Sequence, residues 1–129
     1  MAIFTHLTLG YDDLNKAKAF FDDVLAPLGV KRVMDMPNGG SGYGPEGAGP
    51  EFVVLKPADG KPATTANGFT IGFQAKNRKA VDEFHRRALA KGGKDEGAPG
   101  PRPISPTAYG AYIRDVGGHK MCAFTFSPD

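Results

Sequence analysis

Apolar and polar residues alternate at the start of the chain, in the segment IFTHLTLGYDD (3–13). An alternation of this kind predicts a β-strand, because successive side chains of a strand point to opposite faces. The pattern places His6 on the face opposite Leu7 and Leu9. A lone histidine on the face that does not carry the leucines raises the question of its chemical partners.

A helix is predicted after this strand, because its apolar residues recur at steps of three and four. Asp12 or Asp13 is expected to cap its N-terminus, and Gly29 is expected to end it after the distortion introduced by Pro27. The apolar positions of the predicted helix are Leu14, Ala17, Phe21, Val24 and Leu28.

The strand and helix pattern recurs 64 residues later, in GFTIGFQAKNRKAVDEFHRRALAKGG (68–93), where Asn77 is expected to cap the second helix. Each unit then continues with short segments typical of strands and closes on a heptapeptide that ends in proline, EFVVLKP (51–57) and CAFTFSP (122–128). Matching these heptapeptides pairs Glu51 with Cys122. We therefore predict one domain over 1–129, with unit one at 1–57, a linker at 58–67 and unit two at 68–129. The predicted fold is α+β, built from two βαβββ units.

Composition and charge exclude several classes of partner. The 129 residues carry 16 basic and 14 acidic side chains, a net charge of +2 that predicts neither nucleic acid nor an anionic membrane as partner. The single cysteine fits a reducing compartment, and the segment MAIFTHLTL lacks the features of a secretory signal. A cytoplasmic protein is therefore expected.

Two strand–helix–three-strand units in one short chain resemble the vicinal oxygen chelate superfamily, which includes glyoxalase I, fosfomycin-resistance proteins, bleomycin-resistance proteins and extradiol dioxygenases. The resemblance covers nearly the whole chain and points to the small bacterial glyoxalase-like branch. It implies a curled mixed sheet around a cleft with helices outside, a small-molecule ligand and a homodimer. The segments that carry it most closely are HLTLGYDDLNKAKAFFDDVLAPLG, GAPGPRP and AYIRDVGGHK.

The resemblance also implies metal ligands on the first and last strands of each unit, commonly His or Gln, Glu, His and Glu. At the matching positions this chain carries His6, Glu51, Thr70 and Cys122, where the family would supply His for Thr70 and Glu for Cys122. His6, Glu51 and Cys122 are thus the candidate metal ligands, and a thiolate among them would make zinc the most compatible ion. A site without any metal is the alternative that the donor types favour.

Glu51 beside His6 could act as a general base without a metal, abstracting a proton next to a carbonyl. The alternative is that Glu51 lies exposed at the start of a strand. Arg102, in the proline-rich segment PGPRPISP, is expected to overhang the cleft and bind a carboxylate or phosphate, or else to brace neighbouring carbonyl groups. His119, in the turn GGHK, is expected to be exposed.

Three other residues are predicted to bind substrate because they are expected to flank the cleft: Thr70, Tyr109 and Tyr112. The pattern leaves open which of the two tyrosines faces the cleft.

Two functions follow from the candidate residues. The first is a lactoylglutathione-lyase-like or related enzyme, a lyase or isomerase acting on a small oxygenated substrate. The second is a metal-free protein that binds a small molecule, as the bleomycin-binding relatives do.

Overall fold

The computed structural model describes residues 3–129, so the first two residues of predicted unit one lie outside the described residues. Unit one consists of β1 (Leu7–Gly10), α1 (Leu14–Val24), a 3-10 turn (Ala26–Leu28), β2 (Val30–Asp35), β3 (Ser41–Pro45) and β4 (Phe52–Leu55). Unit two consists of β5 (Ile71–Gln74), α2 (Arg78–Ala90), β6 (Lys94–Pro101), β7 (Tyr109–Arg114) and β8 (Lys120–Thr125). The predicted α+β fold of two βαβββ units is confirmed.

The strands form two separate four-stranded mixed sheets, in the orders β1-β4-β3-β2 and β5-β8-β7-β6. In each sheet the first and last strands of the unit pair in parallel, and the remaining pairs are antiparallel. A parallel pair needs a long connection between its strands, and the helix with the two middle strands supplies it. Each unit therefore brings its first and last strands side by side.

The predicted N-caps of both helices are confirmed. The Asp13 carboxylate accepts the backbone N–H of Lys16 at 3.0 Å, and the Asn77 side chain accepts the backbone N–H of Ala80 at 2.9 Å. Each bond satisfies one of the N–H groups that the first helical turn leaves without a partner. The equivalent positions of the two units thus begin their helices in the same way.

The end of α1 has the predicted distortion at Pro27, and the regular α-helix stops earlier than its apolar pattern suggests. The helix stops at Val24, and a 3-10 turn containing Pro27 continues to Leu28 before Gly29 adopts a φ of +74°. Proline has no N–H and its ring disfavours continuation of the α-helical ladder, so the last predicted turn tightens. Gly29 still ends the segment because the left-handed region costs glycine little.

One hydrophobic cluster contains residues of both units, so the helices and the inner faces of the two sheets share a core. Phe21 is fully buried at its centre. The rings of Phe52 and Phe73, one from each unit, meet with centroids 5.5 Å apart. Arg87 of α2 also donates to the Asp23 carboxylate at 3.1 Å, which joins the two helices. Within residues 3–129, no helix is both long enough and apolar enough to cross a membrane.

Candidate functional site

The second sheet presents one face that points away from the helices. Along β8, Met121 and Ala123 are buried in the core, so the alternating residues lie on the other face. Strand β7 adds Tyr112, which stands directly opposite Cys122. We call this surface the open face, and its defining residues are Tyr112, Lys120, Cys122 and Phe124.

A cleft of about 710 Å³ lies along the open face and the neighbouring edge of β5. Among the described residues its lining holds one cation, Lys76, and no carboxylate. Its aromatic walls are Phe73, Phe124 and Phe126, and the last of these is 59% exposed. A concave, mainly apolar surface with few polar groups is typical of a small-molecule site.

A second cleft, of about 590 Å³, lies where the first sheet meets β5. Tyr43, Glu51 and Phe52 line it from unit one, and Phe73 and Gln74 line it from unit two. The Tyr43 hydroxyl donates to Asp22 at 2.8 Å, and burial raises the pKa of this tyrosine well above its usual value. Tyr43 is therefore a neutral wall residue that is fixed against α1.

Tyr112 lies between two cations on the open face. The guanidinium carbon of Arg102 is 5.5 Å from the centroid of the Tyr112 ring, and the Lys120 nitrogen is 5.4 Å from it. Both distances fall within the range of cation–π attraction. The face therefore combines an aromatic ring with two positive charges at its β7 side.

Arg102 donates to three carbonyl oxygens, with distances of 2.9 Å to Gly100, 3.1 Å to Pro101 and 2.9 Å to Ala98. Arg102 therefore braces neighbouring carbonyl groups, as the second of the two predictions for this residue states. Its guanidinium nevertheless lies over Tyr112, and therefore on the open face.

Tyr109 lies on the opposite side of β7 from Tyr112. Its hydroxyl donates to the carboxylate of Asp82 on α2 at 2.6 Å, and the Arg78 guanidinium stacks 4.9 Å from its ring centroid. Neighbouring residues of a strand point to opposite faces, and the two tyrosines are three positions apart. The structure therefore places Tyr112 on the open face and turns Tyr109 toward the helix.

Cys122 is 5% exposed, and burial raises the pKa of its thiol. A thiol with a raised pKa is neutral at neutral pH, whereas a metal ligand or nucleophile requires the thiolate. Cys122 is therefore a protonated, uncharged thiol in this structure. The Cys122 sulfur contributes a small, uncharged surface to the open face.

Strand register corrects the pairing of Glu51 with Cys122. Leu7 stands opposite Phe52 in the first sheet, and Ile71, its repeat partner, stands opposite Met121 in the second. Phe52 and Met121 are therefore equivalent. It follows that Val53 is the equivalent of Cys122 and that Lys120 is the equivalent of Glu51. The heptapeptide match was displaced by two residues because both segments have the same apolar alternation.

The other predicted residues of the metal site each lie directly before a strand. His6 precedes β1, Glu51 precedes β4 and Thr70 precedes β5, and all three side chains are exposed. The Nδ1 atom of His6 is 2.9 Å from the hydroxyl of Thr5. The Glu51 carbonyl accepts the N–H of Leu7 at 2.8 Å, so the backbones of β1 and β4 hold His6 and Glu51 at adjacent positions.

The donor set does not fit the metal that the resemblance implies. Within residues 3–129, no three His, Cys, Asp or Glu side chains come close enough to hold an ion. If Cys122 marks the ligand position of the last strand, its equivalent is the aliphatic Val53. If Glu51 marks that position, its equivalent is the cationic Lys120, which would repel a metal ion. Neither register supplies a ligand from both last strands.

His119 corrects another expectation, because it is buried rather than exposed, with 5% of its surface accessible. Its Nε2 atom is 2.9 Å from the Gly10 carbonyl oxygen at the end of β1. The adjacent Asp115 carboxylate accepts the backbone N–H groups of Gly117 and His119 and a hydrogen bond from the Tyr11 hydroxyl. Sequence reasoning missed this cluster, since its members lie about one hundred residues apart and share no local pattern.

Comparisons with known proteins agree with this architecture. The family model described as Glyoxalase/Bleomycin resistance protein/Dioxygenase superfamily matches residues 3–123. A glyoxalase/bleomycin resistance protein from Albidiferax ferrireducens T118 has 34% identity and a TM-score of 0.85, over 96% of this chain and 98% of that one. Lactoylglutathione lyase from Agrobacterium tumefaciens has 26% identity and a TM-score of 0.65, over 96% and 92% of the two chains.

The fosfomycin resistance protein FosX from Listeria monocytogenes shares the fold, with a TM-score of 0.69 and 20% identity over 97% of this chain and 93% of that one. A search of curated proteins finds no significant match. The matched family model spans nearly the whole chain and agrees with the two βαβββ units described above. This chain therefore belongs to the glyoxalase/bleomycin resistance protein/dioxygenase superfamily.

Proposed function

We propose that the protein binds a small organic molecule in the cleft along its open face, and that it does so without a metal ion. The observation that carries this proposal is that neither strand register gives a ligand from both last strands, because Lys120 is the equivalent of Glu51 and Val53 is the equivalent of Cys122. The cleft itself is retained, and aromatic side chains line it. This combination is expected of a protein that binds or sequesters its ligand.

The second candidate function is a lyase or isomerase that acts on a small oxygenated substrate, similar to the lactoylglutathione lyase named above. It is supported by the position of Glu51, which lines the second cleft and is adjacent to His6 across the β1–β4 pair. In this function Glu51 would abstract a proton and His6 would hold or return it. Thr70, exposed before β5, would contribute a hydroxyl to the bound substrate.

One experiment tests both candidates. Tag-free protein is analysed for metal content, and a small-molecule library is then screened by thermal shift, with and without a chelator. We expect less than stoichiometric metal and stabilising ligands whose effect the chelator leaves unchanged, because binding to the native state alone raises its stability. About one metal per chain, lost from a His6→Ala variant, would contradict metal-free binding.

Every stabilising compound is then incubated with wild type, Glu51→Gln and His6→Ala and analysed by mass spectrometry for conversion. Turnover by wild type that both variants lose would establish the enzyme. Binding without conversion in all three proteins would support the binding function and contradict the enzymatic one.

We expect a homodimer, because the resemblance to the superfamily implies one and most oligomers of identical chains are dimers. Light scattering should give about twice the chain mass of 13.6 kDa. A mass equal to one chain would contradict this expectation. A cytoplasmic location stays a prediction from the sequence.

A further inference from the structure

We propose that the ligand of the open face is an organic anion, in which a carboxylate is joined to an aryl or similarly large apolar body. This inference rests on the proposed binding function, because it names the ligand class of the same cleft. The cations on either side of Tyr112 are not part of the cleft lining but lie on the same open face, beyond Cys122. They would bind the carboxylate, and the phenylalanines further along β8, which line the cleft, would contact the apolar body.

The charge balance at the Tyr112 end favours an anion. Within residues 3–129, neither Arg102 nor Lys120 forms an ion pair with a carboxylate. Arg114, which is also on β7, is paired with Glu96 at 2.6 Å, so this carboxylate, which also senses the charge of Lys120, is already engaged. Two cations that form no ion pair and lie close to one aromatic ring raise the local positive potential. A carboxylate that binds on the open face beside Tyr112 would lower that potential.

Arg102 is oriented before any ligand arrives. Its hydrogen bonds to three carbonyl groups occupy three of the five N–H donors of a guanidinium, which leaves two for a ligand. Because the side chain is already held in one position, binding costs little further rotamer entropy. The rigid planar guanidinium also suits a carboxylate better than a flexible ammonium alone would.

Aromatic side chains continue from the charged end of the face. A Cβ atom at Gly110 would lie 2.6 Å from the Phe124 ring, so this glycine allows the ring to lie flat on β7. The Phe124 and Phe126 rings are 5.4 Å apart at their centroids. Phe124 lies four positions beyond Lys120 along β8, so their Cα atoms are about 13 Å apart. An aryl ring on a short alkyl carboxylate fits this separation.

Cys122 joins the charged and aromatic ends without opposing an anion. Its thiol lies on the open face between Lys120 and Phe124, and burial raises its pKa, so it carries no negative charge at neutral pH. Gly72 stands opposite it on β5, where a Cβ atom would be 3.4 Å from the sulfur. The middle of the open face therefore carries two small, uncharged residues side by side, which suits a methylene chain.

The test is a titration of the full chain with phenylbutanoate, its uncharged primary amide and butanoate, followed by two-dimensional amide NMR. The proteins are wild type, Lys120→Met, the charge-retaining Lys120→Arg and the control Lys79→Met, which removes an exposed cation from α2. We expect wild type to bind phenylbutanoate more tightly than either other compound, with shifts at Gly72, Cys122 and Phe124. Lys120→Met should weaken phenylbutanoate roughly fivefold, as for one partly exposed charge contact, and leave the amide unchanged.

Lys120→Arg and Lys79→Met should keep the wild-type preference for the anion. Equal affinity of wild type for phenylbutanoate and its amide would overturn the anion inference while leaving a binding cleft in place. The absence of binding by both aryl compounds would also overturn it. The proposed binding function would also fail only if no compound in the small-molecule library stabilised the protein.

Discussion

Replacement of Phe21 by alanine is expected to lower the free energy of unfolding by about 4 kcal/mol, the largest effect of any substitution considered. The Phe21 side chain is fully buried, and its ring meets four other aromatic rings with centroid separations of 5.0 to 6.0 Å. Alanine would leave a cavity among rings that belong to α1, β3, β4 and the segment after β1. Urea denaturation followed by circular dichroism measures the loss.

Phe126→Ala is the matched control, because it removes the same atoms from a ring that is 59% exposed. The expected loss in the free energy of unfolding is below about 1 kcal/mol, because this substitution removes much less buried apolar surface than Phe21→Ala does. Equal losses in the two variants would contradict the central position of Phe21. If Phe21→Ala fails to fold, the milder Phe21→Leu should still show a loss larger than that of the control.

Replacement of Tyr11 by phenylalanine is expected to cost about 2 kcal/mol at neutral pH. The Tyr11 hydroxyl donates to the buried Asp115 carboxylate, and phenylalanine would leave that carboxylate with one partner fewer. Burial raises the pKa of Asp115, while the hydrogen bond from Tyr11 partly offsets the rise. Loss of the hydroxyl should therefore raise the pKa of Asp115 further.

The sign of the pH dependence follows from that change. A carboxyl group with a raised pKa in the folded state contributes stability at low pH and loses it as pH rises through the folded pKa. Tyr11→Phe strengthens this trend, so its cost relative to wild type should grow as the pH rises from the ordinary pKa of an aspartate, about 3.9, toward neutral and higher pH. Urea unfolding of both proteins across this range measures the difference.

Tyr109→Phe is the matched control for the tyrosine substitution. Its hydroxyl donates to Asp82 at 2.6 Å, in an exposed pair on the outside of α2. Its expected cost is about 0.5 kcal/mol, because water can replace the lost partner. A cost of Tyr11→Phe that equals the control, or that falls as pH rises, would mean that the Tyr11–Asp115 bond does not contribute in the way described.

The local features of the fold could be predicted from the sequence. Apolar periodicity predicted both helices. Asn77 and one of the two residues Asp12 and Asp13 were predicted as caps, because capping depends on residues within one turn, and the structure selects Asp13. The repetition of the whole pattern led to the two βαβββ units and to the superfamily. These features depend on short-range geometry, which the order of residues determines almost by itself.

The register of the parallel pairs and the burial of distant polar groups required the tertiary structure. Alternation cannot distinguish a strand from the same strand shifted by two residues, so the equivalence of Val53 with Cys122 emerged only from the β1–β4 and β5–β8 pairs. Similarly, nothing near His119 in the sequence indicates that the end of β1 covers it.

The sequence by itself determined the repeated units, their helices and the residue types available for chemistry. Tertiary structure decided which of those residues meet: it placed Tyr112, Arg102 and Lys120 on one face and turned Tyr109 toward α2. The physical reason is the distance along the chain over which each kind of interaction acts. Helix periodicity and capping act over a few neighbouring residues, whereas a binding face is made by strands whose pairing depends on packing across the whole chain.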